Sequence, residues 1–284
     1  MSARILDGKI LAGILKESLK QEIAEIRSGH GRVPVAVSIL TGSDPGAVSY
    51  AESQKKTAES LGIDYRLKTL PANISLQEFA GVIEDINNDN AIHGILINKP
   101  LPSQIDHAVV SNLIKDVKDI EGLNVVNLGK MFLNKTRLFP CTAASVMEHL
   151  RFAQVPLKGK DVVVIGRSEI VGKPLILLLL SQHATVTVCH SHTQKLVEHV
   201  LRADVVIVAI GKPNFVQADW IKPGAVVIDV GINRVDGKIV GDVNFASVSK
   251  VAGAITPVPG GVGPVTAVLL MNNVVEAFKQ QTNN

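Results

Sequence analysis

The segment Gly166-Arg167-Ser168-Glu169-Ile170-Val171-Gly172-Lys173-Pro174 follows the apolar run Asp161 to Ile165 and leads into a second apolar stretch ending at Leu180. A glycine at a strand end permits a tight turn, and a second near a helix start allows close backbone approach. Proline suits a first helical turn, so the segment can offer backbone N–H groups to a phosphate. It departs from the G-x-G-x-x-G dinucleotide pattern, and a plain strand-to-helix turn is the competing reading. The next strand ends Cys189-His190-Ser191-His192-Thr193, with no acid where an NAD site carries Asp or Glu for the ribose hydroxyls. A 2′-phosphate would meet no repulsion there, and Arg167 and Ser191 can reach it as charge-assisted and hydroxyl donors. The charge pattern selects NADP. The Cys-His run also contains metal-ligating types, but no second cluster accompanies it, and structural zinc needs four protein ligands, so no metal is expected.

Positioning such a loop requires a parallel sheet. From Asp161 the chain alternates DVVVIG, a helix through Leu180, ATVTVC, a helix through Arg202, DVVIVAIG, AVVIDVG and AGAITPV. Five strands at this rhythm predict a doubly wound nucleotide-binding domain. The first half alternates as well. Ile10, Leu11, Ile14, Leu15, Leu19 and Ile23 have helical spacing, and Val33 to Leu40 reads as a buried strand. A polar helix is expected from about Ala47 to Leu61, then a strand from Ile63 to Leu70. Ser75 and Glu78 have capping-box spacing and open a helix to about Asn88, before a strand from Ala91 to Ile97. A further helix is expected near Thr142, and the amphipathic stretch Thr266 to Lys279 is expected to pack back on the first domain. The fold class is therefore α/β with mostly parallel sheets in two domains.

Bulk properties narrow the function. The 284 residues are 46% hydrophobic and only 4% aromatic, a Val/Ile/Leu/Ala composition that favours strands covered by helices. A net charge of +3 arises without any basic block, which argues against nucleic acid as a partner. Two distant cysteines, Cys141 and Cys189, fit a reducing cytoplasm. No apolar run approaches the ~20 residues that span a bilayer, and charges interrupt the N-terminal apolar stretch, so neither membrane segment nor signal peptide is expected.

Two long blocks carry a family resemblance. Val164 to Pro174 is similar to the cofactor signature of the methylenetetrahydrofolate dehydrogenase/methenyltetrahydrofolate cyclohydrolase family. Thr256-Pro257-Val258-Pro259-Gly260-Gly261-Val262-Gly263-Pro264 resembles its C-terminal signature loop. CHSHT, ADVVIVAIGKPNF, GAVVIDVGIN and GDVNF lie between them, and the resemblance spans essentially the whole chain. It implies a homodimer in which a folate domain, 1–140 completed by the C-terminal helix 266–284, closes against an NADP domain, 141–265. It further implies NADP contacts at Gly166, Arg167, Ser168, Ile170, Gly172, Ser191 and Ile232, and a folate cleft bordered by Pro257, Gly260 and Gly261. The activities implied are oxidation of 5,10-methylenetetrahydrofolate with NADP and hydrolysis of the methenyl product to 10-formyltetrahydrofolate.

The implied folate site departs from the family at three places. Tyr50 matches the tyrosine of the family's Tyr-x-x-x-Lys pair, but the position four residues on, which shares its helix face, is Gln54. Asn98 stands for a glutamine, and Glu121 for an aspartate that would pair with the pterin edge. Pro140-Cys141-Thr142-Ala143-Ala144-Ser145 also lacks the family's Pro and Gly after the threonine. Lys55 and Lys56 lie about 100° and 200° further round the helix, and Lys99, adjacent to Asn98 on a strand, is expected to face the other way. Without the resemblance, Gln54 would read as a solvated position. Hydride transfer needs aligned reactants and no titrating side chain, whereas hydrolysis needs proton transfer that an amide cannot perform. The expectation is a dehydrogenase with cyclohydrolase activity weak or absent. The alternatives are an NADP oxidoreductase acting on another small substrate and a non-catalytic NADP-binding regulator.

Overall fold

The computed structural model describes residues 2–282. From the N-terminus the elements are β1 (Arg4–Ile5), α1 (Gly8–His30), β2 (Val35–Thr41), α2 (Pro45–Leu61), β3 (Asp64–Leu70), α3 (Leu76–Asn88) and β4 (Gly94–Ile97). Next come α4 (His107–Ser111), α5 (Val125–Phe132), α6 (Cys141–Phe152), β5 (Asp161–Ile165), α7 (Gly172–Ser181), β6 (Thr185–Cys189), α8 (Leu196–Arg202) and β7 (Val205–Val208). The chain finishes with β8 (Val226–Asp229), β9 (Asn233–Val235), β10 (Lys238–Val240), α9 (Phe245–Val248), β11 (Ala254–Ile255) and α10 (Val262–Thr282).

These form two compact units. One contains the stretch through Ile14 together with Pro140–Thr266, and the other Leu15–Phe139 with the stretch from Ala267 onward. The sequence reading placed everything up to residue 140 in one domain. The first residues instead join the nucleotide unit, because β1 pairs in parallel with β11, Arg4 opposite Ala254 and Ile5 opposite Ile255. Two residues give no periodicity, so only the partner strand defines them.

In that unit the sheet order is β1-β11-β8-β7-β5-β6, with every pairing parallel. Val162 and Val164 bury one face with Leu150, Leu175 and Leu179, while Val163 and Ile165 bury the other with Val200 and Val248. Both faces being covered, the strands read as unbroken β-branched runs. The five expected strands are joined by β1, and an antiparallel β9–β10 hairpin, which the sequence reading did not include, forms a separate two-stranded sheet.

In the other unit a three-stranded parallel sheet has the order β3-β2-β4, with all seven residues of the central β2 buried. Val37 and Ile39 pack on Phe79 and Ile83 of α3, whose start is a complete Ser75/Glu78 capping box. On α2, Ala47, Ala51, Gln54, Ala58 and Leu61 form the buried stripe. From Ala267 on, α10 belongs to this unit. Asn273 Nδ2 donates to the Ile120 and Phe139 carbonyls, and Gln281 Nε2 to those of His93 and Val117.

Candidate active site

The candidate cofactor loop lies where β5 ends. Gly166 has φ +128°, and a Cβ there would collide with the Ala209 carbonyl, so only glycine fits. A Cβ on Gly172 would sit 2.6 Å from the Gly166 carbonyl oxygen, which makes the turn into α7 glycine-dependent too. Ser168 Oγ accepts from the Val171 and Gly172 N–H groups, both at 3.3 Å, and holds the loop against the helix start. Ile165 stands opposite Cys189, and Gly166 N–H donates to the Cys189 carbonyl at 2.9 Å. Arg167 and Ser191 therefore follow the ends of adjacent strands, and both are exposed. Ile170 and Ile232 are exposed apolar residues on the surrounding loops, 50% and 69% accessible. The one acid of these two loops, Glu169, is paired with Lys173 at 3.0 Å, and no acid follows the end of β6, an arrangement that fits a phosphorylated dinucleotide. Cys189 itself is buried in the apolar core.

Two buried aspartates that the sequence reading passed over organise the neighbouring loops. Asp229 accepts N–H groups from Gly231, Asp242 and Val243 at 2.9–3.0 Å. Burial, opposed by those bonds, raises its pKa to about 6. Asp242 accepts from the backbone of Ile210, Gly211 and Lys212 and from Asn233 Nδ2, all within 3.0 Å. Ile232 thus sits between two clamped residues. We expect Asp242→Ala, which strands three backbone donors, to cost about 2–4 kcal/mol and to raise the KM for NADP. Thermal denaturation with cofactor titration checks both.

The other unit brings the folate-site candidates Gln54 and Asn98 together with Ser38 and Tyr65 of its sheet. Ser38, Tyr65 and Asn98 share one face, since Ala36 registers with Tyr65 and the β2–β4 pairing continues to Ile39 and Ile97. Asn98 Nδ2 donates to Ser38 Oγ at 2.6 Å and to the Ile39 carbonyl at 3.0 Å, while Asn98 Oδ1 is buried without a hydrogen-bond partner. Gln54 is 4% exposed and accepts from the Tyr65 hydroxyl at 3.0 Å. The solvated position that a bare sequence reading gives Gln54 is therefore corrected. Its helix turns it inward, and Tyr65 satisfies its oxygen. Tyr50, one turn earlier, is 56% exposed at the same site, close enough to Tyr65 to act on the phenol electrostatically. Lys55 pairs with Glu59 at 4.0 Å and Lys56 is exposed, so neither enters the buried stripe.

Glu121 is positioned by packing. Gly94 on β4 leaves room for the buried Ile120, and Asp119 bridges to Ile95. The Asp119 carboxylate is consumed internally by the Gly122 and Asn124 N–H groups and Asn127 Nδ2, at 2.8–3.1 Å. Its neighbour Glu121 has its pKa raised to about 7 by burial and by the Asp119 charge, against the pull of Lys99. Lys99 therefore lies within electrostatic reach of Glu121.

The loop from Pro257 to Gly261 belongs to the nucleotide unit. Gly260, at φ +102°, accepts the Gly8 N–H at 2.8 Å and so seats the first turn of α1. A Cβ on Gly261 would lie 2.5 Å from the Pro257 carbonyl, so this loop is tightly closed rather than a slack connector.

Among the signals that sequence reasoning missed, Tyr65 is the most legible. The chain has only two tyrosines, and both are in this cluster. Comparison with known proteins also divides the chain in two, between residues 121 and 140, although the spatial units exchange the segments before Leu15 and after Thr266. Residues 6–121 match the family described as "Tetrahydrofolate dehydrogenase/cyclohydrolase, catalytic domain", and residues 140–282 its "NAD(P)-binding domain". The bifunctional protein FolD of Halalkalibacterium halodurans is 47% identical over 99% of this chain and 100% of its own length. The crystal structure of the Campylobacter jejuni bifunctional FolD methylenetetrahydrofolate dehydrogenase/cyclohydrolase superposes with a TM-score of 0.95 at 40% identity, covering 98% of this chain and 99% of its own. The Trypanosoma brucei enzyme, solved with NADP cofactor and inhibitor, gives 0.92 at 37% identity and covers all of both chains.

Proposed function

The chain belongs to the tetrahydrofolate dehydrogenase/cyclohydrolase family, and from this premise we propose that it oxidises 5,10-methylenetetrahydrofolate to 5,10-methenyltetrahydrofolate with NADP while hydrolysing the product weakly or not at all. The observation that carries the substrate reading is Asn98 Oδ1, a buried acceptor left unpaired where the family places its folate. A buried orphan of this kind wants a ligand donor.

NADP, when bound, supplies the hydride acceptor. Gly166, Arg167, Ser168, Ile170, Gly172, Ser191 and Ile232 would hold it, the loop backbone and Arg167 on phosphates and the exposed isoleucines on apolar surface. Glu121 accepts N–H donors of the pterin edge, Asn98 supplies a second acceptor, and Tyr50 offers a ring for stacking. Pro257, Gly260 and Gly261 are carried over as folate-bordering positions. The folate nitrogen lone pair drives hydride departure, so these residues need only align the substrate. Hydrolysis of the methenyl carbon requires a proton donor and acceptor, which the Gln54 amide does not provide. The reading includes a cytoplasmic homodimer, expected to sediment at twice the chain mass. Among the described residues no helix is long and apolar enough to cross a membrane.

The Glu121 carboxyl gives this reading a pH signature. With a folded pKa of about 7, above its ordinary value, it is neutral in mild acid and ionised in mild base. An ionised carboxylate accepts N–H donors more strongly, so the KM for methylenetetrahydrofolate should fall as pH rises from about 6 to 8. The stability contribution has the opposite sign, being present at low pH and lost as pH rises through the folded pKa. Glu121→Gln should raise this KM at pH 8 and abolish its pH dependence, leaving the KM for NADP unchanged. The whole reading is tested by following methenyltetrahydrofolate absorbance as it forms with NADP. No cofactor-dependent signal would refute it.

A further inference from the structure

We infer that Tyr65 is a positioning residue of the folate site, orienting the Gln54 amide through a directed hydrogen-bond chain, an inference that rests on the folate reading above. The chain starts at Asn98, whose Nδ2 donates to Ser38 Oγ at 2.6 Å. Because Ser38 Oγ accepts there, its own proton is available to the Tyr65 phenol oxygen, with which it is hydrogen-bonded. The Tyr65 hydroxyl then donates to Gln54 Oε1 at 3.0 Å. Asn98 Nδ2 spends its second proton on the Ile39 carbonyl at 3.0 Å, and the Ser38 and Tyr65 hydroxyls have one proton each, so the direction runs from Asn98 to Gln54. Gln54 Oε1 being engaged, the amide orientation is fixed and its NH2 becomes the outer end of the chain.

Three strands supply this chain: Ser38 from β2, Tyr65 from β3 and Asn98 directly after β4, all on the face that registers with Ala36 and Leu40. Tyr65 is 3% exposed and Ser38 fully buried, so solvent cannot substitute for a missing link. The assembly also accounts for a glutamine at this family position. A neutral donor held in one orientation can align a substrate, and an amide terminus stops proton transfer along the chain. Tyr65 thus acts on substrate only through Gln54 and has no proton-transfer role of its own.

The test is a double-mutant cycle of Tyr65→Phe and Gln54→Met, with steady-state constants for methylenetetrahydrofolate and NADP. Tyr65→Phe should raise the folate KM about threefold to tenfold, the range of one net hydrogen bond, with the KM for NADP unchanged. Gln54→Met should do the same, and the double variant should be no worse than either single, because one pathway carries both effects. An equal effect of Tyr65→Phe in both backgrounds, or a loss of melting temperature with no change in folate KM, would overturn the inference. Should Tyr65→Phe fail to fold, Ser38→Ala breaks the preceding link and must raise the folate KM only while Gln54 is present. Failure of the folate reading itself would look different, since the unmodified protein would then show no NADP-dependent turnover.

Discussion

Gln54→Lys is expected to raise the enzymatic hydrolysis of methenyltetrahydrofolate by about 10²–10⁴-fold, the usual contribution of a positioned proton-transfer group. Residue 54 lies on the buried stripe of α2, 4% exposed, with the Tyr65 hydroxyl 3.0 Å from its side-chain oxygen. A lysine in this pocket would be desolvated, which lowers its pKa toward the range where an amine both accepts and donates a proton near neutrality. The Tyr65 hydroxyl would remain available as a partner for the neutral amine. The assay is the loss of methenyl absorbance without cofactor, measured above the spontaneous rate. The dehydrogenase rate should change far less, because hydride transfer uses no group on this side chain. Fast hydrolysis by the unmodified protein would sink the argument and direct attention to Lys99, which lies within electrostatic reach of Glu121.

Arg167→Ala should raise the KM for NADP by roughly 10–100-fold, corresponding to one or two charge-assisted hydrogen bonds to a phosphate, and leave the KM for NAD almost unchanged. The residue follows directly on the end of β5, exposed and unencumbered by the fold, so truncation should not disturb stability. Ser191→Ala should act in the same direction but less, a neutral hydroxyl being the weaker donor. Steady-state kinetics with both cofactors decides the matter. Equal loss for NADP and NAD would place Arg167 on the shared pyrophosphate, and no loss for either would remove it from the site.

The nucleotide unit was legible in the sequence because its information is local. Strand, glycine turn and helix follow one another within twenty residues from Asp161, and both faces of the inner strands β5, β7 and β8 are covered, which writes β-branched runs into the chain. The folate cluster was legible only through family resemblance, because its members stand on separate elements. Tyr50 on α2, Asn98 after β4 and Glu121 in the loop before α5 are each an ordinary polar residue until the fold brings these elements together.

What the sequence determined by itself is the α/β class, the alternation of helices and strands, the glycine turn that leads from β5 into α7 and the absence of an acid at the end of β6, since each depends on neighbours a few residues away. Only the tertiary structure decided that β1 completes the nucleotide sheet, that Gln54 is buried against Tyr65, that Asp119 is spent on its own loop while Glu121 is left poised near pH 7, and that Asp229 and Asp242 clamp the cofactor loops. The physical reason is common to all four. Burial and hydrogen bonding between residues distant in sequence set the state of a polar side chain, and residue spacing carries no record of them.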